Sequence, residues 1–324
     1  MTKNWLSRAV GIIAASAATL SAAWAAPGND WPSRPITIVV PFAAGGQADQ
    51  LGRMLGQHLT EKLKQPVIVD NKPGAGTIIG SQFVARAKPD GYTFLLGGTT
   101  NILNFHTQPK MPYGRKDLQS VAELITTPLY LVTSPKSQFK TVQDVIQASK
   151  EKAGNVSCGN FGTGSISHLS CGMLAQMAGV EFLHVAYKGS APLIQDTMAG
   201  QVDVAVIVEG LPSISAKKLH GLAVTTPERN PYTPDIPRMR EALPSFAVTG
   251  WNGIFAPAGT PDAIVQRVAA EVNDMLQSEA IKSRLKAMGV LLPAHRTTAE
   301  FSAFVDQEFD RWGKQVKAMN VKLD

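Results

Sequence analysis

The chain has 324 residues and a formal net charge of +6, from 31 Lys and Arg against 25 Asp and Glu. That length is generous for one hydrophobic core and suits two domains. The basic residues are thinly spread, with no cluster longer than a pair such as Lys217-Lys218 and no basic stripe interleaved with aromatics, so no nucleic-acid partner is expected.

Lys3 and Arg8 open the chain, an apolar stretch runs from Ala9 to Leu20, and Ala23-Trp24-Ala25 supplies a small-x-small cleavage signature. This is the pattern of a secretory signal peptide over residues 1–25, cut after Ala25. The stretch is shorter than the roughly 20 residues that a membrane span needs. Cleavage would leave 324 − 25 = 299 residues and, with Lys3 and Arg8 gone, a net charge of +4. A mild positive field would help attract an anionic small molecule.

Beyond the leader, β-like runs alternate with helical ones. Strand Ile36–Val40 precedes helix Asp49–Leu63, strand Val67–Val69 precedes helix Ile79–Ala87, and strand Tyr92–Leu96 precedes a polar loop from Gly97 to Asn104. Strand Leu129–Val132 leads to helix Thr141–Lys150, strand Val156–Cys158 to helix Ser165–Ala178, and strand Phe182–Val185 to helix Ala191–Ala199. Strands Val202–Val208 and Leu222–Val224 follow, then a Pro-rich surface loop from Pro227 to Pro244. Thr260-Pro261 starts an amphipathic helix, Asp262–Gln277, and a last helix runs from Thr298 to about Met319. Such alternation indicates α/β architecture with mostly parallel sheets, whose ligands bind at the carboxyl ends of strands. Without a long linker, two domains would share a hinge that the chain crosses more than once.

The Gly-rich turns lie at those strand ends. Phe42-Ala43-Ala44-Gly45-Gly46 follows the first strand, Pro73-Gly74-Ala75-Gly76-Thr77 the second, and Gly159-Asn160-Phe161-Gly162-Thr163-Gly164-Ser165 the strand of Cys158. Tyr187-Lys188-Gly189 follows the next. A helix N-terminus carries unpaired N–H groups and about half a positive charge, so each turn is a cradle for an anion. Asp49 reads equally as a helix cap or as an acceptor that holds water.

Enzyme motifs fit poorly. There is no G-x-S-x-G elbow, no Walker A and no H-E-x-x-H. Gly162-Thr163-Gly164-Ser165-Ile166-Ser167 comes near G-x-G-x-x-G, but the next strand ends in Tyr187-Lys188 where a ribose-binding acid would stand. Ser165 and His168 share one helical turn, which leaves an exported hydrolase as the alternative. The two cysteines, Cys158 and Cys171, could pair in an exported protein or stay as two buried thiols. No further ligand cluster joins His168 and Cys171, so neither metal nor cofactor is expected.

The segment from Trp31 through Pro41-Phe-Ala-Ala-Gly-Gly46 to Asp49 closely resembles the mature start of the Bug or TctC family, the solute-binding proteins of tripartite tricarboxylate transporters. Asp70–Gly76, Pro89–Tyr92, Gly162–Ser165 with His168-Leu169, Val185–Pro192 and Ala256–Pro261 continue the match in order. The resemblance implies a type II-like periplasmic binding protein, with residues 26–126 plus 251–324 as one domain, 127–250 as the other, and the cleft between them. It implies a non-enzymatic monomer that presents a small carboxylate to membrane permease subunits; a periplasmic sensor for a signalling receptor is the other use of such a protein. Carried over by position, Phe42, Ala43, Gly45, Gly46 and Asp49 face the ligand from one side. Gly162, Thr163, Gly164, Ser165 and His168 face it from the other, with Tyr187, Lys188 and Gly189 beside them. Thr77, Thr99, Thr100 and Asn101 are further candidates. Three departures stand out: Ala48 replaces the usual Thr or Ser, Thr77-Ile78 replace Gly-Asn, and Val206-Ile207-Val208 stand near the usual Phe-Asp, with Glu209 as a substitute acid. Lost polar groups tilt the expectation toward a mono- or dicarboxylate with an apolar or aromatic body.

Overall fold

A computed structural model describes residues 31–208, 210–295 and 297–319. The expected signal peptide and Glu209 lie outside them. The chain first lays down β1 (Ile36–Val40), α1 (Gln47–Leu63), β2 (Val67–Asn71), α2 (Ile78–Ala85), β3 (Thr93–Gly98), α3 (Thr99–Thr107) and β4 (Leu118–Pro128). It then builds β5 (Tyr130–Thr133), α4 (Val142–Glu151), β6 (Ser157–Asn160), α5 (Ile166–Ala178), β7 (Leu183–Ala186), α6 (Ser190–Ala199), β8 (Val204–Ile207), α7 (Gly210–Ser215), β9 (His220–Val224) and α8 (Met239–Ala242). It returns with β10 (Thr249–Pro257), α9 (Asp262–Gln277), α10 (Glu279–Ala287) and α11 (Thr298–Ala318).

Two five-stranded sheets result, ordered β2-β1-β3-β10-β4 and β7-β6-β8-β5-β9. Each is the centre of one lobe. The α/β class and two-domain architecture expected from the sequence are observed, but the sheets are mixed and not mostly parallel. β10 runs antiparallel to β3 and β4, and β5 runs antiparallel to β8 and β9. The reason is connectivity: each of these strands is the one that enters its sheet from the other lobe.

That connectivity places the site. β4 shares the direction of β1 and β3, so their carboxyl ends lie on one edge of the first sheet. In the second sheet β5 starts on the edge where β6, β8 and β9 end. β4 ends at Pro128 and β5 begins at Tyr130, so Leu129 alone joins the two carboxyl edges. The return from Val224 to Thr249 joins the same edges. Thr225 ties the two crossings together: its Oγ1 donates to Val248 O at 2.6 Å and accepts from Leu129 N–H at 3.2 Å. Both sheets thus turn their ligand-binding ends toward each other across this hinge.

Packing follows the same plan. A core of Val39, Leu95 and Ile102 from the first lobe merges with Leu131, Leu169 and Val206 from the second. On the other face of the first sheet, α1 and α9 bury Leu51, Leu55, Leu59, Val265, Val268 and Val272, spaced three and four apart along each helix. α11 starts on a Thr297 cap that accepts from Glu300 N–H and buries Phe301, Val305, Trp312 and Val316. Its Glu308 is 6% exposed and accepts from both indole N–H groups, Trp251 at 3.4 Å and Trp312 at 3.1 Å. Arg311 adds two donors at 2.7 and 2.9 Å and reaches Ala247 O in the second crossing.

The Gly97–Asn104 segment, expected as a polar loop, completes β3 and enters α3. Asn101 makes that helix start possible, because its Oδ1 accepts from Gly98 N–H at 2.7 Å in place of a usual cap residue.

Candidate functional site

At the end of β1 the chain turns through Ala43, Gly45 and Gly46, all exposed, with Phe42 half-buried. Asp49 sits beneath this turn, 3% exposed, and its Oδ2 accepts from Gly45 N–H at 2.9 Å and from Arg53 Nε at 3.0 Å. The Arg53 guanidinium, then the Gly45 amide, hold the Asp49 carboxyl below the usual carboxylate range. Its Oδ1 is buried with no hydrogen-bond partner in the protein. Asp49 is therefore a loop holder with one acceptor oxygen to spare.

Across the hinge, β6 ends in the second turn. Gly162 and Gly164 take φ of +126° and +77°, conformations that a side chain would strain. Ser165 caps α5: its Oγ accepts from His168 N–H at 3.2 Å and donates to Gly162 O at 2.6 Å. Gly164 N–H donates to His168 Nδ1 at 3.2 Å, which puts the ring proton on Nε2. Ser165 and His168 are thus both committed to the turn and form no serine–histidine dyad. The disulfide Cys158–Cys171 bridges β6 to α5 directly behind this turn, which settles the pairing that the sequence left open.

Tyr187 N–H donates to Asn160 O at 2.8 Å, so the third turn is laced to the second. Tyr187 OH donates to Asp196 at 2.9 Å. Burial, then the neighbouring carboxylate, pushes the phenol up to about 12 and keeps it protonated. Lys188 is exposed, and Gly189, with φ +108°, opens α6.

The remaining candidates cluster within the first lobe. Thr77, in the left-handed region at φ +84°, offers its Oγ1 to Asn104 Nδ2 at 3.1 Å and to Asn101 Nδ2 at 3.4 Å. Asn101 also donates to Ser81 Oγ at 2.6 Å, so its amide is spent internally. Thr99 Oγ1 accepts from Trp251 N–H at 3.0 Å, anchoring the start of α3 to the hinge strand β10. Ile166, at the start of α5, approaches the same strand at Gly250, next to Thr127. The structure therefore brings the starts of α3 and α5 to one stretch of β10.

Two residues that sequence reasoning missed complete the picture. Asn160, fully buried at the end of β6, uses Oδ1 to accept from Gly162 N–H at 3.1 Å, while its Nδ2 has no partner. Thr127, 4% exposed at the end of β4, has an unpartnered Oγ1. Buried polar groups are paired in the great majority of cases, so Asp49 Oδ1, Asn160 Nδ2 and Thr127 Oγ1 are exceptions that stand together at the carboxyl edges of the two sheets. The available signal was an Asn at a strand end immediately before a Gly turn. A separate cavity of about 790 Å³ lies within the first lobe, walled by Phe105, Tyr113, Phe255, Val265 and Val305. Of the expected residues only Asn101 lines it, and its walls all come from the first lobe, so it is not the interlobe site.

Burial lowers the His106 and His168 pKa values, and His184, 5.1 Å from His168 between ring centroids, lowers the latter further. Above the unfolded value of about 6.5 both states are neutral. As the pH falls below it, the unfolded chain takes up protons first and stability declines. Tm should drop between pH 7 and pH 5.5, and His168→Asn should flatten that slope. An unchanged slope in the variant would refute this assignment.

Residues 51–321 match the model of the tripartite tricarboxylate transporter family receptor, TctC. Protein BugT of Bordetella pertussis is 32% identical over 326 residues, covering 98% of this chain and 99% of its own length. Among solved structures, an R. palustris protein with adipate superposes with TM-score 0.80 at 31% identity, covering 91% of this chain and 100% of its own. MatC from Rhodopseudomonas palustris with bound malate gives TM-score 0.76 at 33% identity, covering 88% and 99%. With this coverage, on top of two facing sheets and Gly-turn helix starts, the chain belongs to the TctC family of periplasmic solute-binding receptors.

Proposed function

We propose that this protein is a non-enzymatic receptor that captures a small carboxylate between its lobes and presents it to membrane permease subunits. The observation that carries the reading is the trio of unpartnered buried polar atoms on Asp49, Asn160 and Thr127, at the facing sheet edges. The Gly46 and Thr163 amides would take carboxylate oxygens, the first through water held by Asp49, because the Gly45, Gly162, Gly164 and Ser165 amides are already spent within the turns. His168 Nε2–H and the Thr163 hydroxyl would add donors. Phe42, Ala43, Lys188, Gly189 and Tyr187 would line the cleft, while Thr77, Thr99 and Asn101 would hold its wall. The division into residues 26–126 plus 251–324 and 127–250 is supported by sheet membership, which changes after Pro128 and before Thr249. No described helix is long and apolar enough to cross a membrane. Export to the periplasm as a monomer, with a cut after Ala25, fits the family.

Relatives crystallised with adipate and malate support a dicarboxylate. Ile78 favours one with an apolar body, whereas Ala48 packs into the core under α1 and takes no part in the choice. A thermal-shift panel of acids tests both points. The cognate acid at about 100 times its Kd should stabilise the protein by about 2.7 kcal/mol. Ser165→Ala removes the cap that shapes the Gly162–Ser165 turn and should weaken binding by about tenfold, the usual worth of a lost N-cap. Stabilisation by citrate-like acids alone would overturn the preference for an apolar body. An unchanged Kd in the Ser165 variant would remove that turn from the site.

A further inference from the structure

Away from the cleft, His58 of α1 points between two carboxylates of α9. Its Nε2 lies 3.6 Å from Glu271 Oε2 and 3.5 Å from Asp274 Oδ2. The nitrogen is buried and forms no hydrogen bond. Glu271 is 9% exposed, and the three donor atoms all lie within 4.8 Å of one another. Glu271 and Asp274 are three apart on one helical face, so α9 presents both to α1 together.

We propose that His58, Glu271 and Asp274 form a divalent metal site, with zinc as the best-fitting ion, that clamps α1 to α9. Donors bonded to one tetrahedral zinc at about 2.0–2.2 Å sit about 3.4 Å apart. The His58 nitrogen is therefore spaced from its carboxylates as a co-ligand would be, and too far for a good hydrogen bond. One imidazole and two carboxylates are a borderline-hard set that zinc accepts, leaving a fourth position for water. Arg267 Nε bonds Glu271 Oε1 at 2.9 Å, which orients the carboxylate and leaves Oε2 for the ion. Lys62 Nζ, 2.7 Å from Asp274 Oδ2, is the competitor: its long, half-exposed side chain neutralises Asp274 and swings out when zinc arrives. The clamp would act on the helix whose first turn carries Asp49, so it would stiffen the frame of the first Gly turn.

Titration calorimetry of chelator-stripped protein with Zn²⁺ alone tests this. One equivalent should bind, and His58→Ala or Asp274→Asn should each lower affinity by at least about tenfold. Asp274 is half-exposed, so the second variant keeps the fold. Lys62→Ala should bind more tightly, because the competing ammonium is gone. His220→Ala, in the second lobe, should bind as the parent does. The proposal is overturned by an absence of saturable uptake, by uptake that survives both His58→Ala and Asp274→Asn, or by uptake lost in His220→Ala instead.

Discussion

Replacing both Cys158 and Cys171 with alanine is expected to cost about 3 kcal/mol of unfolding free energy, the chain-entropy value for a loop of about 15 residues. The cysteines are 13 apart and both fully buried, so the crosslink closes a short loop and reduction requires opening the lobe. The effect should extend to binding. The bridge spans from β6 to α5, and the Gly162–Ser165 turn lies inside the loop it closes. Without it, the turn's amides must be ordered at the expense of ligand affinity. Urea unfolding with parallel ligand titration measures both quantities. A loss below about 1 kcal/mol with unchanged affinity would show that packing alone, around Leu169 and Val206, fixes the turn.

The second large effect is expected at Glu308. Its carboxylate holds four donors: two from Arg311 and one each from the indoles of Trp251 and Trp312. Glu308→Ala strands the guanidinium and both indoles together, and should cost about 3 kcal/mol or more, as when one partner of a buried pair is removed. Glu308→Gln keeps acceptor geometry and should cost less. Trp251 stands in β10 at the lobe junction, so its fluorescence should shift red in the alanine variant as water reaches the ring. Equal losses for the two variants, or an unmoved Trp251 signal, would mean that shape and not charge supports the junction.

Much of the fold was legible because its punctuation is strong. Gly45-Gly46, Gly162 to Gly164 and Gly189 announce strand ends, and the apolar spacing of α1, α9 and α11 is plain. What escaped has physical causes. β4 carries Glu123 in its middle, which breaks the apolar run. It is tolerated because His295 Nδ1 meets it at 2.7 Å and Thr126 Oγ1 at 3.0 Å. Burial nevertheless raises the Glu123 pKa. β10 carries Gly253, where any Cβ would overlap the Phe301 ring, so its periodicity is interrupted by a packing demand from a distant helix. α3 lacked a visible cap because Asn101 caps it from inside the helix. At the site, the glycines and Ser165 were readable as local turn chemistry. Asn160 and Thr127 were not, since only tertiary assembly leaves their polar atoms buried and unpaired.

The strand order has a consequence for how the molecule comes into being. β10 lies between β3 and β4, yet it is delivered only after all of the second sheet has passed. A chain emerging N-terminus first therefore exposes β3 and β4 without their shared neighbour while residues 129–248 emerge. The second lobe, whose strands are contiguous in the chain, can collapse on its own in that interval. The first lobe must wait with two unsatisfied edges, so a nascent receptor is most vulnerable to misassociation just before its last quarter arrives.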